Sequence, residues 1–529
     1  MGNNKVYVFD STLRDGAQAK GISYSLSDKI HMLRLLDSIG MDYIEAGNPA
    51  SNPKEREFFE KARDIKLQYA KLTAFGSTRR KNCEAAEDPG VQALLSAGTD
   101  VVAIFGKSWD LHVTEVLQTE LSENLNMVRD TVAFFKKQGK EVIFDAEHFF
   151  DGYKNNPSYA VEVLKAAEEG GADCLVLCDT NGGALTHEVE EIVGYIKENT
   201  NTAVGIHAHN DSELAVANSL IAVKNGACHV QGTFIGFGER CGNARLTSII
   251  PNLQLKMGYS CIPEEKISQL TRLAREAAEI SNLALNEKLP YVGNDAFAHK
   301  GGMHIDGVRK AEGSFEHIKP ETVGNKRSFL LSEVAGRSAL SIKLSHRFPE
   351  LVNDKEALGN LMDKLKDLEQ EGYSFEGAEN SFELIVSKEL GFRKQSFSLI
   401  HFKVIDEHTE YKKAFGSYAV VKVNVNGADR MAAAEGNGPV NALDKALREA
   451  LSEFFPELKD ITLLDYKVRV LDTKKATAAK VRVVIESGDG ENKWTTLGVS
   501  TDVIEASLIA LIDSIEYKLW ETKSKYKEK

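Results

Sequence analysis

Two histidines one residue apart, His207 and His209, carry the clearest chemical signal in the chain. If residues 203–209 form a strand, period-two alternation places both imidazoles on one face. Two such imidazoles make half of a metal site. Asp15, just past an early apolar run, adds a carboxylate. That mixed set suits a divalent metal such as Zn, Mn or Mg and leaves positions for substrate oxygens. Asn243 offers a further oxygen, or serves only as a turn former beside Gly242. Arg14 can hold a carboxylate or stabilise a developing enolate or alkoxide oxygen; the alternative is a salt bridge with Glu45. Glu147 ends an apolar run, where partial burial would suit it to proton transfer. Thr180, in Asp179-Thr180-Asn181-Gly182-Gly183, either binds a substrate carboxylate or belongs to a tight turn.

Two further stretches read as anion sites. The loop over 232–244 carries four glycines, and Gly236 and Gly238 would let backbone N–H groups approach phosphate or thioester oxygen. No third glycine completes a dinucleotide fingerprint. Arg79-Arg80-Lys81 is a candidate for cofactor phosphates, against the alternative of solvated surface.

These residues need a scaffold, and the first 260 residues supply its pattern. Eight short apolar runs, at 6–12, 42–47, 67–76, 100–106, 141–147, 173–179, 203–209 and 229–234, alternate with stretches of helical periodicity. One helix is expected over 28–39 with Ser27 as cap and Gly40 as stop, others over 122–138 and 212–225. Eight strand–helix units predict an α/β fold, a (β/α)8 TIM barrel, rather than a doubly wound sheet. Asp15, Glu45, Glu147, Asp179, His207 and His209 all fall at C-terminal strand ends, which in a barrel converge on one mouth.

Beyond the barrel the pattern changes twice. We expect a catalytic barrel over 1–275, helical linker subdomains over 276–390 with the loop Lys300-Gly301-Gly302-Met303-His304, and an α+β domain over 391–529. The last region holds an internal repeat, two strands and a helix each time: 418–425 and 430–434 before 440–454, then 480–486 and 494–499 before 503–517. Residues 523–529 are expected to be a charged fray.

Composition narrows the function class. The 529 residues are 42% hydrophobic and 27% charged, as in a globular protein of several domains. A net charge of -13 argues against a nucleic-acid binder. No apolar run approaches the roughly 20 residues that span a bilayer. The N-terminus lacks a secretory pattern, and Val6 breaks a myristoylation motif at Gly2. The six cysteines are scattered, and Cys174 and Cys178 read as buried free thiols of a cytoplasmic protein.

Taken together, four motifs resemble the DRE-TIM metallolyases, specifically the 2-isopropylmalate, homocitrate and citramalate synthase group. They are Asp10-Ser11-Thr12-Leu13-Arg14-Asp15-Gly16-Ala17-Gln18, His207-x-His209-Asn210-Asp211, Gly236-x-Gly238-Glu239-Arg240-x-Gly242-Asn243 and Lys300-Gly301-Gly302-x-His304. Ala17 stands where much of the superfamily has Glu, as in the citramalate branch. The resemblance implies an acyltransferase that condenses acetyl-CoA with a 2-oxo acid and hydrolyses the thioester. It implies that Asp15, His207, His209 and Asn243 hold the metal, that Arg14 orients the acceptor carbonyl and that Thr180 meets its carboxylate. Glu147 and His304 would serve the proton transfers, His304 reaching a partner subunit's site in a homodimer. Arg79 and Arg80, with Gly236 and Gly238, would receive CoA.

The stretch Phe105-Gly106-Lys107-Ser108-Trp109-Asp110-Leu111-His112 is similar to the citramalate branch and favours pyruvate over 2-oxoisovalerate and 2-oxoglutarate. The C-terminal repeat resembles a LeuA-type regulatory domain. Isoleucine is the feedback inhibitor this implies, with Gly498 and Ser500 at its site. The rivals are a 2-isopropylmalate or homocitrate synthase, a 3-hydroxyacyl-CoA lyase of the same superfamily, and a non-catalytic amino-acid sensor that keeps a degenerate barrel.

Overall fold

Eight short strands rich in Val, Ile, Leu and Phe place β-branched and aromatic side chains on both sides of a sheet, which only a fully covered parallel sheet accommodates. In the computed structural model they are β1 Tyr7–Asp10, β2 Tyr43–Glu45, β3 Lys71–Ser77, β4 Val101–Lys107, β5 Glu141–Glu147, β6 Cys174–Asp179, β7 Ala203–Ala208 and β8 His229–Gly232. They close in that order, β8 pairing back onto β1 in parallel with Tyr7 opposite His229. The TIM barrel expected from the alternation is therefore the fold. The structure describes residues 4–329, 344, 347–348, 354–375, 378–407, 416–471, 479–490 and 492–527. Of the expected charged fray, 523–527 instead continue the last helix, Val503–Lys527, and 528–529 lie outside the described residues.

Outward-facing residues such as Val8, Ile44, Val102, Phe144, Leu175 and Ile206 pack under the surrounding helices in one large core. Inward-facing Phe9, Tyr43, Val101, Ala103, Ile143, Cys174, Val176 and Cys178 fill the lumen. Towards the C-terminal ends the inward positions turn polar, with Asp145 and Glu147 on β5, His207 on β7 and Gln231 on β8. This change along the lumen builds the site.

Helix boundaries follow local capping. The first helix runs Leu26–Ile39 with Ser25, not Ser27, as its cap; Ser25 and Asp28 form a reciprocal capping box, and Gly40 ends the helix in the left-handed region. The helix expected over 212–225 is shorter, Ala215–Lys224, because the chain before it still turns, with Glu213 at φ +61°.

The chain divides into two compact units, residues 1–298 with 316–328, and residues 299–315 with 329–529. In the second, each repeat is strand–strand–strand–helix rather than strand–strand–helix. Strands β9 Ser398–Glu407, β10 Gly416–Val425 and β11 Ala428–Gly436 precede helix Pro439–Leu451; β12 Thr462–Val470, β13 Val481–Gly488 and β14 Lys493–Ser500 precede helix Val503–Lys527. The sequence reading missed β9 and β12. Both are edge strands with mostly exposed side chains, so they lack the clean half-buried alternation that marks β10.

Candidate active site

Asp15 follows β1 in a short turn, and His207 and His209 lie at the end of β7. Their ligand atoms meet at the barrel mouth. The two Nε2 atoms are 3.3 Å apart, and they stand 3.5 Å and 3.7 Å from Asp15 Oδ2. Asn243 donates Nδ2–H to Asp15 Oδ1 at 3.0 Å, leaving its own Oδ1 buried without a partner. All four residues are at most 5% exposed.

This arrangement fits a divalent metal. Among the described residues, Asp15, His207 and His209 are the one group of His, Cys, Asp or Glu side chains whose ligand atoms cluster closely enough to share an ion. Two imidazole nitrogens facing each other and a carboxylate oxygen are lone-pair donors around a common centre, and the buried amide oxygen of the neighbouring Asn243 lacks a partner. Burial disfavours a charged Asp15, yet Arg14 and the two histidines hold its carboxyl well below the usual range. Burial and the neighbouring His207 push His209 down to about 4, so its imidazole is neutral and able to ligate.

Arg14 forms the expected salt bridge with Glu45 and a second with Asp15. Its Nε donates to Glu45 Oε2 at 2.7 Å and its Nη1 to Asp15 Oδ2 at 2.9 Å, while the guanidinium lies 3.9 Å from the Phe75 ring centre. The salt bridge with Glu45 therefore fixes the side chain that faces the mouth.

A cavity of about 230 Å³ opens there, lined by Arg14, Asp15, Asp145, Glu147, Thr180 and His207 among others. That volume admits a small acid rather than a drug-sized ligand. Glu147 is ion-paired with Lys107 from the neighbouring strand. Thr180 Oγ1 accepts the His148 N–H at 2.9 Å, which orients its hydroxyl. Sequence reasoning missed Asp145 and Gln231. Asp145 lies two residues before Glu147 on the same face, and Gln231 stands opposite His207 in the β7–β8 register. Period-two counting back from Glu147 would have found the first. Burial drives the Asp145 carboxyl up to about 7.

The glycine loop supports the ligand cluster sterically. A Cβ on Gly238 would sit 2.2 Å from Asn243 Nδ2 and 3.5 Å from Asp15 Oδ1, so only glycine lets this loop close over the pair. Gly236 has φ +90° and turns the chain. Arg79 is buried and committed, donating to Glu123 at 2.8 Å and to Asp130 at 2.8 Å, whereas Arg80 is largely exposed. Both line a second cavity of about 440 Å³ with Lys81, Lys107, Val116 and Leu117.

The remaining residues singled out in the sequence belong to the second unit. His304 is exposed on helix Gly302–Lys310 and stacks on Phe315 with ring centres 4.4 Å apart. A Cβ on Gly498 would meet Ala506 O at 2.1 Å. Ser500 Oγ donates to Glu505 and accepts the Asp502 N–H. Asp502 Oδ1 in turn accepts the Ile504 N–H at 2.7 Å.

Comparison with known proteins places this geometry in a lineage. Residues 5–275 match the HMGL-like family, 291–373 the homocitrate synthase post-HMGL domain-like family and 376–519 the LeuA allosteric (dimerisation) domain. The chain is 55% identical over 516 residues to the (R)-citramalate synthase of Aquifex aeolicus, covering 97% of this chain and 98% of that one. It belongs to the citramalate synthase family. The (R)-citramalate synthase of Geobacter sulfurreducens is 49% identical, with 97% of each chain covered. A probable 2-isopropylmalate synthase of Methanopyrus kandleri stands further off, at 32% over 97% of this chain and 98% of that one. All six cysteines are free, and among the described residues no helix is long and apolar enough to cross a membrane.

Proposed function

We propose that this chain condenses acetyl-CoA with pyruvate and hydrolyses the resulting thioester, giving citramalate and CoA. The observation that carries the reading is the Asp15–His207–His209–Asn243 cluster beside a cavity sized for a small 2-oxo acid, in a chain about half identical to (R)-citramalate synthases over nearly its whole length.

A divalent cation held by Asp15, His207 and His209, with Asn243 as a further oxygen donor, would polarise the acceptor's carbonyl as a Lewis acid. Arg14, locked by Glu45, presents fixed positive charge where the acceptor's carbonyl oxygen gains negative charge on attack. Thr180 receives the acceptor carboxylate. Glu147, paired with Lys107, and His304, reaching the site from the partner subunit of a homodimer, divide the proton transfers: one removes a methyl proton of the acetyl group to give the enolate, and one activates water for thioester hydrolysis. The 440 Å³ cavity is the site we assign to CoA, with Arg80 rather than the committed Arg79 facing its phosphates. Gly236 and Gly238 shape the loop beside the metal ligands.

We assign residues 1–275 to the catalytic barrel, 276–390 to linker subdomains and 391–529 to a regulatory domain of a cytoplasmic homodimer. Isoleucine is its inhibitor, bound near the small-residue turns that open the two regulatory helices. Helix Pro439–Leu451 starts at Gly438 with no side-chain cap, which leaves backbone N–H groups free for a carboxylate. Ser500→Trp should relieve inhibition while leaving the uninhibited rate within about twofold, since Ser500 lies outside the barrel.

The test of the reaction is CoA release from acetyl-CoA plus pyruvate, before and after chelation and re-addition of Zn, Mn or Mg. Release that vanishes on chelation and returns with metal, with citramalate as product, is expected. Full turnover in metal-stripped enzyme, or metal binding without turnover, would overturn the assignment.

A further inference from the structure

Behind the ligand cluster runs a second line of hydrogen bonds. Gln231 is fully buried on β8. Its Nε2 donates to Asp145 Oδ1 at 2.9 Å, and its Oε1 lies 2.9 Å from His207 Nδ1. Asp145 is 4% exposed, on β5 at the cavity wall. Three strands of the barrel thus contribute one residue each to an unbroken chain, Asp145 to Gln231 to His207.

The chain has a direction. The two ends of a Gln side chain differ, one an acceptor and the other a double donor. The NH2 group of Gln231 faces Asp145 Oδ1, the arrangement that a carboxylate there requires. That sends Oε1, an acceptor only, towards His207. The nitrogen opposite Oε1 must then carry the hydrogen, so neutral His207, the form that binds a cation, is the Nδ1–H tautomer. Its Nε2 is left as a bare lone pair, and it is Nε2 that faces Asp15 and His209. Without this chain His207 would be free to take the other tautomer, which aims a hydrogen at the metal centre.

We infer that Gln231, itself oriented by Asp145, is a positioning residue that fixes the tautomer and ring orientation of His207. The inference rests on the metal reading given above. A neutral ligand histidine whose second nitrogen donates to a fixed acceptor is pre-organised for a cation, and losing such a partner typically costs roughly 10–100-fold in metal affinity or activity. Gln231 is absent from the cavity lining, and Asp145, which lines it, acts on His207 through its hydrogen bond to Gln231. Both act through the imidazole.

The experiment is Zn and Mn titration of the metal-stripped, full-length protein by calorimetry, with thermal stability of the same samples as a control on folding. Wild type should bind one ion per chain and Asp15→Ala should bind none; failure of that pair would sink the metal reading itself. With it standing, Gln231→Leu should lose roughly 10–100-fold in affinity with the unfolding temperature of the metal-free protein little changed. A second route avoids a buried apolar replacement. Gln231→Glu keeps an acceptor towards His207 but sets a carboxylate against Asp145, and adding Asp145→Asn restores a donor at that junction. The double variant should recover about tenfold of what Gln231→Glu loses, while Asp145→Asn alone changes affinity less than about threefold, the non-additivity expected of groups in one network. Wild-type affinity in Gln231→Leu, or no recovery in the double variant, would overturn the inference.

Discussion

The barrel and the C-terminal repeat solve the problem of a sheet in opposite ways. In β4 to β8 nearly every side chain is buried, those facing out under helices and those facing in against one another. Closure leaves only the strand ends free, and the polar residues gather there. In the repeat each three-stranded sheet has a helix on one face and nothing from its own repeat on the other. On the face away from its helix, Ile405, Tyr418 and Met431 of the first sheet are exposed. A fold that buries everything concentrates chemistry at its rim; a fold that leaves apolar faces open awaits a partner. The first is fit for catalysis. The second is fit for assembly and regulation.

The sharpest way to break this division is at the mouth. His207→Ala should reduce turnover by more than about 10³-fold, at least about 4 kcal/mol of transition-state stabilisation, and leave isoleucine binding to the other unit unchanged. Calorimetry with isoleucine beside a rate assay checks both; a parallel loss of effector binding would show that the two regions are not separable.

Next in size comes Gly498→Val, about 3 kcal/mol of destabilisation from overpacking. Its Cβ would run into Ala506 O at 2.1 Å and Ile509 Cβ at 2.8 Å. Denaturant unfolding should show a weakened C-terminal transition with the barrel's unaffected, so Ser500 is the cleaner position for probing the effector. Equal stability to wild type would mean that the helix repacks without cost.

Asp10, fully buried at the end of β1, tests the barrel's own interior. Burial raises its carboxyl to about 7, and its Oδ2 lacks a partner. A carboxyl raised in the folded state adds stability that is complete below pH 3.8 and lost as pH rises through 7. Asp10→Asn should therefore be more stable than wild type at pH 8 by about 2 kcal/mol and lose that advantage at pH 4. An advantage independent of pH would contradict the titration. Smallest of these, Met431→Asp on the open face of β11 should weaken the dimer by about tenfold, 1.4 kcal/mol, in sedimentation equilibrium, with the monomer's fold intact. An unchanged dimer would place the interface elsewhere.

Much of this was legible in the sequence, for definable reasons. Barrel strands announce themselves because burial on both faces gives continuous apolar runs, and chemistry at strand ends gave Asp15, His207, His209 and Glu147 as one set. The same rule hid Asp145 and Gln231, which sit inside the strands; they become visible only when period two is counted inward from the mouth. Strands β9 and β12 were lost because an edge strand awaiting a partner does not carry a buried-face pattern of its own. The commitment of Arg79 to Glu123 and Asp130 is a contact across 44 and 51 positions, which no local reading of Arg79-Arg80-Lys81 contains.

The most direct measurement of the central claim is kcat/KM for pyruvate, 2-oxoisovalerate and 2-oxoglutarate with saturating acetyl-CoA and metal, read as thiol release. Membership of the citramalate synthase family, with Phe105–His112 at the end of β4, predicts pyruvate ahead of both others by at least about tenfold, 1.4 kcal/mol. A tenfold preference for either larger acid would contradict the pyruvate assignment, and no release with any of them would contradict the condensation itself.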